Sequence, residues 1–365
     1  MLSPQSETEL AEMVRDTSGP LRINGGGTRA YGRVVSGNAL SVARLSGITL
    51  YEPGALTLVA QAGTPLAAIE ARLGAENQRL AFEPMDHRAL LGTTGFPTIG
   101  GVVAANISGP RRVQVGAARD YLLGVRFVDG SGQVVKNGGR VMKNVTGLDL
   151  AKLMAGAHGT LGVLTEVAFK VLPQVEAVAT LTLQGLDDAR AVAALAAGLG
   201  SPFEITGAAH DSEAGKTRLR IEGFAGSVAY RAARLAGLLA KFGQAEIGDH
   251  DWTTIRDVTD FATRPGDVWR LSVKPSDAPG IVARLGLPAR YDWGGGLVWV
   301  LAPERTDLRR VIGPFAGHAT LIRATPATRG AIQPFQPEPA ANAQLTHGLR
   351  ARFDPRGILN TGLMD

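Results

Sequence analysis

Three consecutive glycines follow a short apolar segment, and no other feature of this 365-residue chain restricts the local fold as strongly. The segment from Leu21 to Asn24 predicts a strand, and Gly25 to Gly27 lack the Cβ atom that restricts a backbone. Successive N–H groups in such a turn can point toward one anion. A second stretch of small residues, from Thr98 to Ala105, predicts another anion-binding loop. Two such loops in one domain suit a dinucleotide with a bridging pyrophosphate.

The pattern Gly25-x-Gly27-x-x-Ala30 also fits the fingerprint of nicotinamide-binding Rossmann domains. That fingerprint has to open a helix, whereas residues 31–37 contain two glycines and no helical period. The acidic residue expected after the next strand would be Glu52, which stands before Pro53 in a predicted turn. The nicotinamide interpretation is therefore disfavoured. A tight turn without a ligand stays open as an alternative, since one glycine-rich loop is weak evidence.

Composition excludes several classes of function. The chain has no cysteine, so it can form no disulfide, iron–sulfur cluster, thiolate zinc site or cysteinyl-flavin bond. The net charge of +5 is not clustered, because no run of basic residues exceeds a pair, and this argues against nucleic-acid binding. No apolar stretch is long enough to span a bilayer, and no signal-peptide pattern opens the chain. We therefore expect a cytoplasmic protein.

Hydrophobic periodicity predicts an α+β fold with a first domain at residues 1–173, a second at 174–325 and a C-terminal segment at 326–365. A capping box at Ser6 to Glu9 predicts a first helix over residues 6–16. Residues 80–120 lack regular periodicity and predict a long functional loop. Further predicted elements are strands at 56–61, 163–172, 177–183, 216–221, 269–273 and 297–301, and helices at 64–73, 187–199, 227–242 and 339–353.

The glycine segment at residues 21–30, the small-residue segment at 98–112 and three later segments together resemble the vanillyl-alcohol oxidase type of FAD-binding proteins. The resemblance covers residues 20–172 and the tail Phe353–Gly362, and it includes Lys143–Leu150 and Gly156–Glu166. It implies a two-subdomain FAD-binding domain with a smaller, ferredoxin-like α+β cap domain. It also implies that the C-terminal segment, 326–365, returns to the FAD-binding domain. It also implies a set of cofactor-binding residues: Asn24, Gly25, Gly26, Gly27, Thr28, Pro84, Thr98, Ile99, Gly100, Gly101, Ala104, Ala105, Gly109, Gly116, Arg119, Gly159, Gly162 and Val163.

Two expectations concern the bound flavin itself. Some relatives tether the flavin through a histidine at the position of Thr28, and threonine does not form that bond, so the resemblance implies a non-covalent FAD. An aspartate at Gly26 is expected to face the diphosphate and to block the turn, which would abolish flavin binding.

A narrower resemblance is to the FAD-binding subunits of bacterial glycolate oxidase, also called glycolate dehydrogenase. The segments that carry it are Pro110–Arg112, Val141–Asn144, Trp269–Ser272, Pro275–Pro279, Asp292–Gly296 and Gly317–Thr320. The resemblance implies oxidation of a small 2-hydroxy acid, with electrons passing from the flavin to a partner. It further implies a complex with a larger FAD subunit and an iron–sulfur subunit, through which the chain would contact the inner face of the membrane.

Candidate catalytic residues are few. Hydride transfer to a flavin needs a base for the hydroxyl proton and a cation for the carboxylate, and Arg111, Arg112 and Arg323 are candidates for the second task. The sequence names no base, so the catalytic residues stay unknown. His318 is read as a structural residue or a substrate contact, and Trp293 as a core residue or a flavin neighbour.

The six histidines form no close pair, so no metal site is expected. Three functions stay open. The chain oxidises glycolate or a similar acid at its own FAD; it carries FAD only as a non-catalytic electron-transfer or assembly subunit; or it is a nicotinamide-dependent reductase of the same fold. Bleaching of the flavin by glycolate or by NADPH would separate them.

Overall fold

The computed structural model describes residues 1–140 and 147–364, so Val141–Asn144 and the first half of the Lys143–Leu150 block lie outside the described residues. The chain divides into two units. The first unit contains residues 1–107, 117–174 and 337–365, and the second contains residues 108–116 and 175–336. The division differs from the predicted one at two places, since residues 108–116 and 326–336 both belong to the second unit.

The strands, numbered in chain order, are β1 Leu21–Asn24, β2 Asn38–Ser41, β3 Ile48–Glu52, β4 Thr57–Gln61, β5 Gln78–Arg79, β6 Leu122–Val128, β7 Val134–Gly138, β8 Val163–Lys170, β9 Leu172–Pro173, β10 Ala177–Gln184, β11 Ile205–Asp211, β12 Lys216–Gly223, β13 Glu246–Gly248, β14 Asp267–Val273, β15 Ala289–Asp292, β16 Leu297–Ala302 and β17 Gly317–Arg323. The α-helices are α1 Glu7–Asp16, α2 Leu66–Gly74, α3 Arg88–Leu91, α4 Ile99–Ala104, α5 Arg112–Val115, α6 Ala118–Tyr121, α7 Leu150–Met154, α8 Asp188–Leu199, α9 Ala225–Leu239, α10 Trp252–Arg256, α11 Thr259–Ala262, α12 Ala278–Leu285, α13 Leu308–Ile312, α14 Pro326–Ala331 and α15 Ala340–Phe353.

The first unit is built on an antiparallel sheet in the order β3-β4-β8-β6-β7, beside a parallel pair β1-β2 and a short pair β5-β9. Its main core joins side chains of this sheet to α2 and α4, including Leu58, Ile69, Val102 and Phe169. A second cluster packs α1 against β1 and β2. This cluster holds the strand that leads into the glycines, because Leu21 is fully buried in it.

The prediction of a structureless loop over residues 80–120 was wrong, since this region contains α3, α4, α5 and α6. The two glycines at 100 and 101 lie inside α4 rather than in a loop, and Thr98 caps that helix by accepting a hydrogen bond from the Gly101 N–H. A Cβ atom on Gly100 would lie 2.6 Å from the Cβ of Ala62, so the glycine permits close packing of α4 on the sheet. Helical periodicity failed here because each helix has at most six residues.

The second unit is one antiparallel sheet in the order β13-β10-β12-β11-β15-β16-β14-β17. It contains two copies of the ferredoxin-like β-α-β-β-α-β arrangement. The first runs from β10 to β13 with helices α8 and α9, and the second runs from β14 to β17 with α12 and α13. The copies join where β11 pairs with β15, through only two residue pairs, His210 with Tyr291 and Asp211 with Arg290. The ferredoxin-like prediction is confirmed, but the sequence did not show that the unit is a repeat.

Within the described ranges, the search for a helix long and apolar enough to cross a membrane finds no candidate.

Candidate functional site: a glycine cradle and a cationic cluster

The glycine loop at residues 25–27 packs directly on the chain at residues 95–98. A Cβ atom on Gly26 would lie 1.6 Å from the carbonyl oxygen of Phe96, and one on Gly25 would lie 2.4 Å from Oγ1 of Thr98. The contact is reciprocal, because a Cβ on Gly95 would lie 1.7 Å from the carbonyl oxygen of Gly26. No side chain fits at these positions. The two stretches are therefore held together backbone to backbone, and any side chain at Gly26 would clash with the Phe96 carbonyl. The expected loss of flavin binding in Gly26→Asp stays a prediction.

The amide groups of this loop are not used inside the protein. Among the described residues, no acceptor bonds the backbone N–H groups from Gly25 to Thr28. Gly27 has a left-handed φ of +71° and open space around its Cα, while the following Thr28 is buried. A run of unused donors beside a left-handed turn is the arrangement from which anion-binding nests are built, and we call residues 25–28 the glycine cradle. The cradle suits the diphosphate of a dinucleotide.

The stretch at residues 98–101 does not form a second cradle, in contrast to the expectation from the sequence. The N–H of Ile99 donates to the Thr64 carbonyl, that of Gly100 to the Ala62 carbonyl, and that of Gly101 to Oγ1 of Thr98. These donors are therefore occupied. The stretch instead forms a wall against which the glycine loop packs.

A cluster of cationic and aromatic side chains lies beside the cradle. Nε of Arg29 is buried without a hydrogen-bond partner among the described residues, and its guanidinium lies near Gly101, where a Cβ would come within 3.1 Å of it. The ring of Tyr31 lies 5.8 Å from that of His87 and 5.7 Å from that of His158. Burial, and then the Arg29 charge, lower the pKa of His158 to about 4, so this histidine is neutral at pH 7. An orphaned guanidinium nitrogen next to unused amides fits a bound anion.

The other residues implied by the resemblance fall into three groups. Ala104 lies beside the cradle cluster, since its carbonyl accepts from the N–H of His158. Four positions serve packing, because their side chains are buried or because an added Cβ would clash with the core: Pro84, Ile99, Gly162 and Val163. The rest are Asn24 at the end of β1, Ala105 at the end of α4, Arg119 whose N–H donates to Asn106, Gly159 with φ of +73°, and Gly109 and Gly116, which belong to the second unit.

The second unit contains a separate cationic cluster around Trp293. The guanidinium of Arg112 lies 4.5 Å from the centre of the Trp293 ring, and that of Arg270 lies 5.1 Å from it. The indole N–H of Trp293 donates to the carbonyl of Gly109 at 3.0 Å, which fixes the ring against the 108–116 segment. Desolvation, and then the charges of Arg270 and Arg112, lower the pKa of His318. Two arginines over one indole, with His318 within range of their charges, suit a ligand that carries a carboxylate and a hydroxyl group.

Of the three arginines named from the sequence, only Arg112 lies in this cluster. Arg111 forms a buried ion pair with Glu222, and Arg323 donates to the backbone carbonyls at 261, 262, 264 and 266. Both are therefore structural. The sequence analysis did not name Arg270 as a candidate, although this residue lies in the Trp269–Ser272 segment that carries the narrower resemblance. It also alternates with the buried Trp269 and Leu271, which places it on the other face of β14.

Comparison with known proteins gives the family. Residues 1–138 match a protein-family model described as an FAD binding domain. Over 94% of its length the chain is 37% identical to the glycolate oxidase subunit GlcE of Escherichia coli strain K12, of which it covers 92%. The chain belongs to the GlcE family. FAD is its cofactor, and the family agrees with the resemblance drawn from the sequence blocks.

Other relatives match over shorter spans. The D-lactate dehydrogenase of Anaerostipes hadrus is 31% identical over 52% of this chain, which covers 40% of that enzyme. The glycolate oxidase subunit GlcD of Bacillus subtilis strain 168 is 40% identical over 23% of this chain, which covers 18% of that subunit. A solved alkyldihydroxyacetonephosphate synthase superposes on 98% of this chain with a TM-score of 0.69 and 16% identity, covering 76% of that enzyme. This last likeness shows a shared fold.

Proposed function

We propose that the first unit holds FAD non-covalently, with the diphosphate at Gly25 to Thr28, and that the chain oxidises glycolate or a similar 2-hydroxy acid. The single observation that supports the placement best is the run of unused N–H groups on a loop that has no room for side chains. The buried, unpartnered Nε of Arg29 supplies a positive charge beside it. Thr28 lacks the imidazole through which some relatives tether the flavin, which supports dissociable binding.

The second unit would act as the substrate domain. Arg112 and Arg270 would bind the substrate carboxylate, because a guanidinium matches a carboxylate in charge and in planar geometry. His318 would accept the hydroxyl proton, since its lowered pKa leaves the imidazole neutral and able to act as a base at pH 7. Bound FAD supplies the two-electron acceptor for the hydride that leaves the α-carbon.

The assembly is proposed from the family. The names of the relatives describe subunits, GlcE and GlcD, of a glycolate oxidase. We infer that this chain works beside a larger FAD subunit and an iron–sulfur subunit on the cytoplasmic side of the membrane. With no cysteine in the chain, any cluster in that assembly must belong to a partner. Co-purification of the tagged chain with its neighbours is the direct measurement.

The test of the activity is anaerobic stopped-flow mixing of the FAD-loaded chain with glycolate. Loss of the oxidised flavin absorbance within seconds supports oxidation by this chain itself. Acetate is the matched control, because it carries the same carboxylate and no hydroxyl group, and it should leave the spectrum unbleached. An intact flavin spectrum with glycolate, together with bleaching once the partner subunits are added, would instead identify a non-catalytic electron-transfer or assembly subunit. Bleaching by NADPH alone would identify a nicotinamide-dependent reductase.

A further inference from the structure

The junction of the two ferredoxin-like copies in the second unit encloses a pocket that the proposed oxidation does not use. We call it the seam pocket. Its lining comes from β11, β12, β15 and β16 on the sheet, and from the linker that contains α10 and α11. Its cavity volume is about 190 Å³. This is smaller than the roughly 300–1,000 Å³ that is usual for sites of drug-sized molecules, so only a small ligand fits.

One end of the seam pocket carries two unused polar groups. The half-buried side chain of Arg218 lines the pocket and makes no hydrogen bond to any described residue, although the charges of Asp211 and Asp260 act on it. His250 also lines the pocket, and its buried Nε2 has no hydrogen-bond partner in the described part of the chain. A buried polar atom without a partner is rare, so Nε2 of His250 marks a place where a ligand or water completes the bonding.

Three acidic residues near the seam pocket form ion pairs with Arg290. Asp211 and Glu213 pair with Arg290 at 3.1 and 2.8 Å, and Asp260 bonds the same guanidinium. These pairs leave Arg218 as the lining arginine whose hydrogen-bonding capacity is unused. Asp211 and Asp260 also act on Arg218, and three aspartates line the pocket against two arginines, so the lining as a whole attracts no anion. Binding of an anion therefore depends on direct hydrogen bonds to Arg218 and His250, and each further negative charge on the ligand weakens it.

The remaining walls are apolar. The indole of Trp299, which is buried, and the side chains of Ile255 and Val258 face the same space. An apolar lining with a few placed polar groups is the usual composition of a small-molecule site, in which the apolar walls hold the body of the ligand and the polar groups orient it.

We propose that the seam pocket is a second ligand site, which binds a small organic monocarboxylate with an apolar or aromatic body. The carboxylate contacts Arg218 and His250, and the body lies against Trp299. The site is distinct from the Arg112, Arg270 and His318 cluster in the same unit, since none of these three residues lines the seam pocket. Its occupation therefore does not depend on whether the chain oxidises glycolate.

The experiment is isothermal titration of the full-length, FAD-loaded chain with benzoate as the probe. Benzamide is the neutral isostere, and inorganic phosphate is the multiply charged comparison. We expect benzoate to bind, and benzamide and phosphate to bind at least tenfold more weakly, since a charged hydrogen bond contributes roughly one or two powers of ten in affinity. Equal binding of benzoate and benzamide, or no benzoate binding at all, would overturn the proposal.

Three variants locate the binding. Arg218→Met should weaken benzoate binding tenfold or more. Lys216→Met is the matched control, because it removes the same charge two residues earlier on β12 but lies outside the pocket lining, and it should bind as the wild type does. Arg112→Met should also bind benzoate normally, and loss of binding in this variant with retention in Arg218→Met would place the probe in the other cluster and refute the site. If Arg218→Met does not fold, His250→Phe gives the same test.

Discussion

The glycine cradle of the first unit and the arginine cluster of the second both suit an anion, but they use different parts of the chain. The cradle presents backbone N–H groups on a loop where added side chains would clash with the neighbouring backbone. The cluster presents two guanidinium groups and an imidazole that come from separate segments around Trp293. A site made of backbone is intolerant of any added atom, whereas a site made of side chains is sensitive to charge and tolerant of shape.

The same difference decides which site a sequence reveals. Three consecutive glycines predict a turn from the sequence alone, and the strand before them shows where the turn begins. Arg112, Arg270 and Trp293 are ordinary residues in three segments that the sheet of the second unit brings together, so no local pattern connects them.

The most damaging change to the cradle is expected at Gly26. Gly26→Ala places a methyl group where the Phe96 carbonyl lies, which separates the two stretches, so the purified protein should have lost nearly all FAD, as measured by its absorbance per chain. Gly19→Ala is the control, because nothing lies within 4 Å of its added Cβ, and it should keep full flavin. Gly27→Ala has space but a left-handed φ, costs about 1 kcal/mol, and should lose only part of the FAD. Full flavin in Gly26→Ala would show that the cradle is misplaced.

Removing a charge from the Trp293 cluster should lower the activity and leave the FAD content unchanged. Arg112→Met keeps the length of the side chain and removes the charge, so kcat/KM for glycolate should fall by about a hundredfold while the flavin content stays unchanged. The exposed Arg310 supplies a comparison variant, Arg310→Met, for which steady-state kinetics should match the wild type. A loss of flavin in Arg112→Met, or an unaltered kcat/KM, would contradict the division of tasks between the two regions.

A substitution at Arg111 tests whether this arginine stabilises the fold, in contrast to the adjacent Arg112, for which we propose a role in substrate binding. Arg111→Met leaves the buried Glu222 carboxylate without its closest partner, and the free energy of unfolding should drop by about 3 kcal/mol. Denaturant titration measures the loss. The double variant Arg111→Met/Glu222→Leu removes both charges and should recover most of it. A single variant as stable as the wild type would mean that the ion pair does not support the second unit.

The smallest effect is expected from His158 beside the cradle. Its pKa is lowered from 6.5 to about 4 in the folded chain, so between these two pH values the unfolded chain binds more protons than the folded chain. The stabilisation from this residue is therefore complete above pH 6.5, decreases as the pH falls toward 4, and is lost below it. His158→Asn, which tolerates the left-handed φ of +52°, should flatten that part of the stability profile measured from pH 7 to 4. An unchanged slope would argue that the imidazole is solvated.

Much of the regular structure follows from local signals. The predicted first helix at 6–16 is found at Glu7–Asp16 because Ser6 caps it, and the predicted last helix at 339–353 is found at Ala340–Phe353. Residues 80–120 were mispredicted because their helices are too short to show a period, and the fit of Gly100 against Ala62 is a long-range contact. The ferredoxin-like arrangement was predicted, but its duplication was missed. The two copies share an order of strands, and the sequence analysis found no repeat of fixed period.

The placement of residues 108–116 has a practical consequence for anyone who recombines members of this family. These nine residues lie within the 1–138 match to the FAD binding domain, yet they belong to the second unit, where Arg111 meets Glu222 and Gly109 meets Trp293. A chimera that takes only residues 175–336 from a relative would graft Glu222 with the more distant Arg220 and without Arg111, its closest counter-ion. The second unit is discontinuous in sequence, so an exchange between relatives has to include residues 108–116 together with residues 175–336.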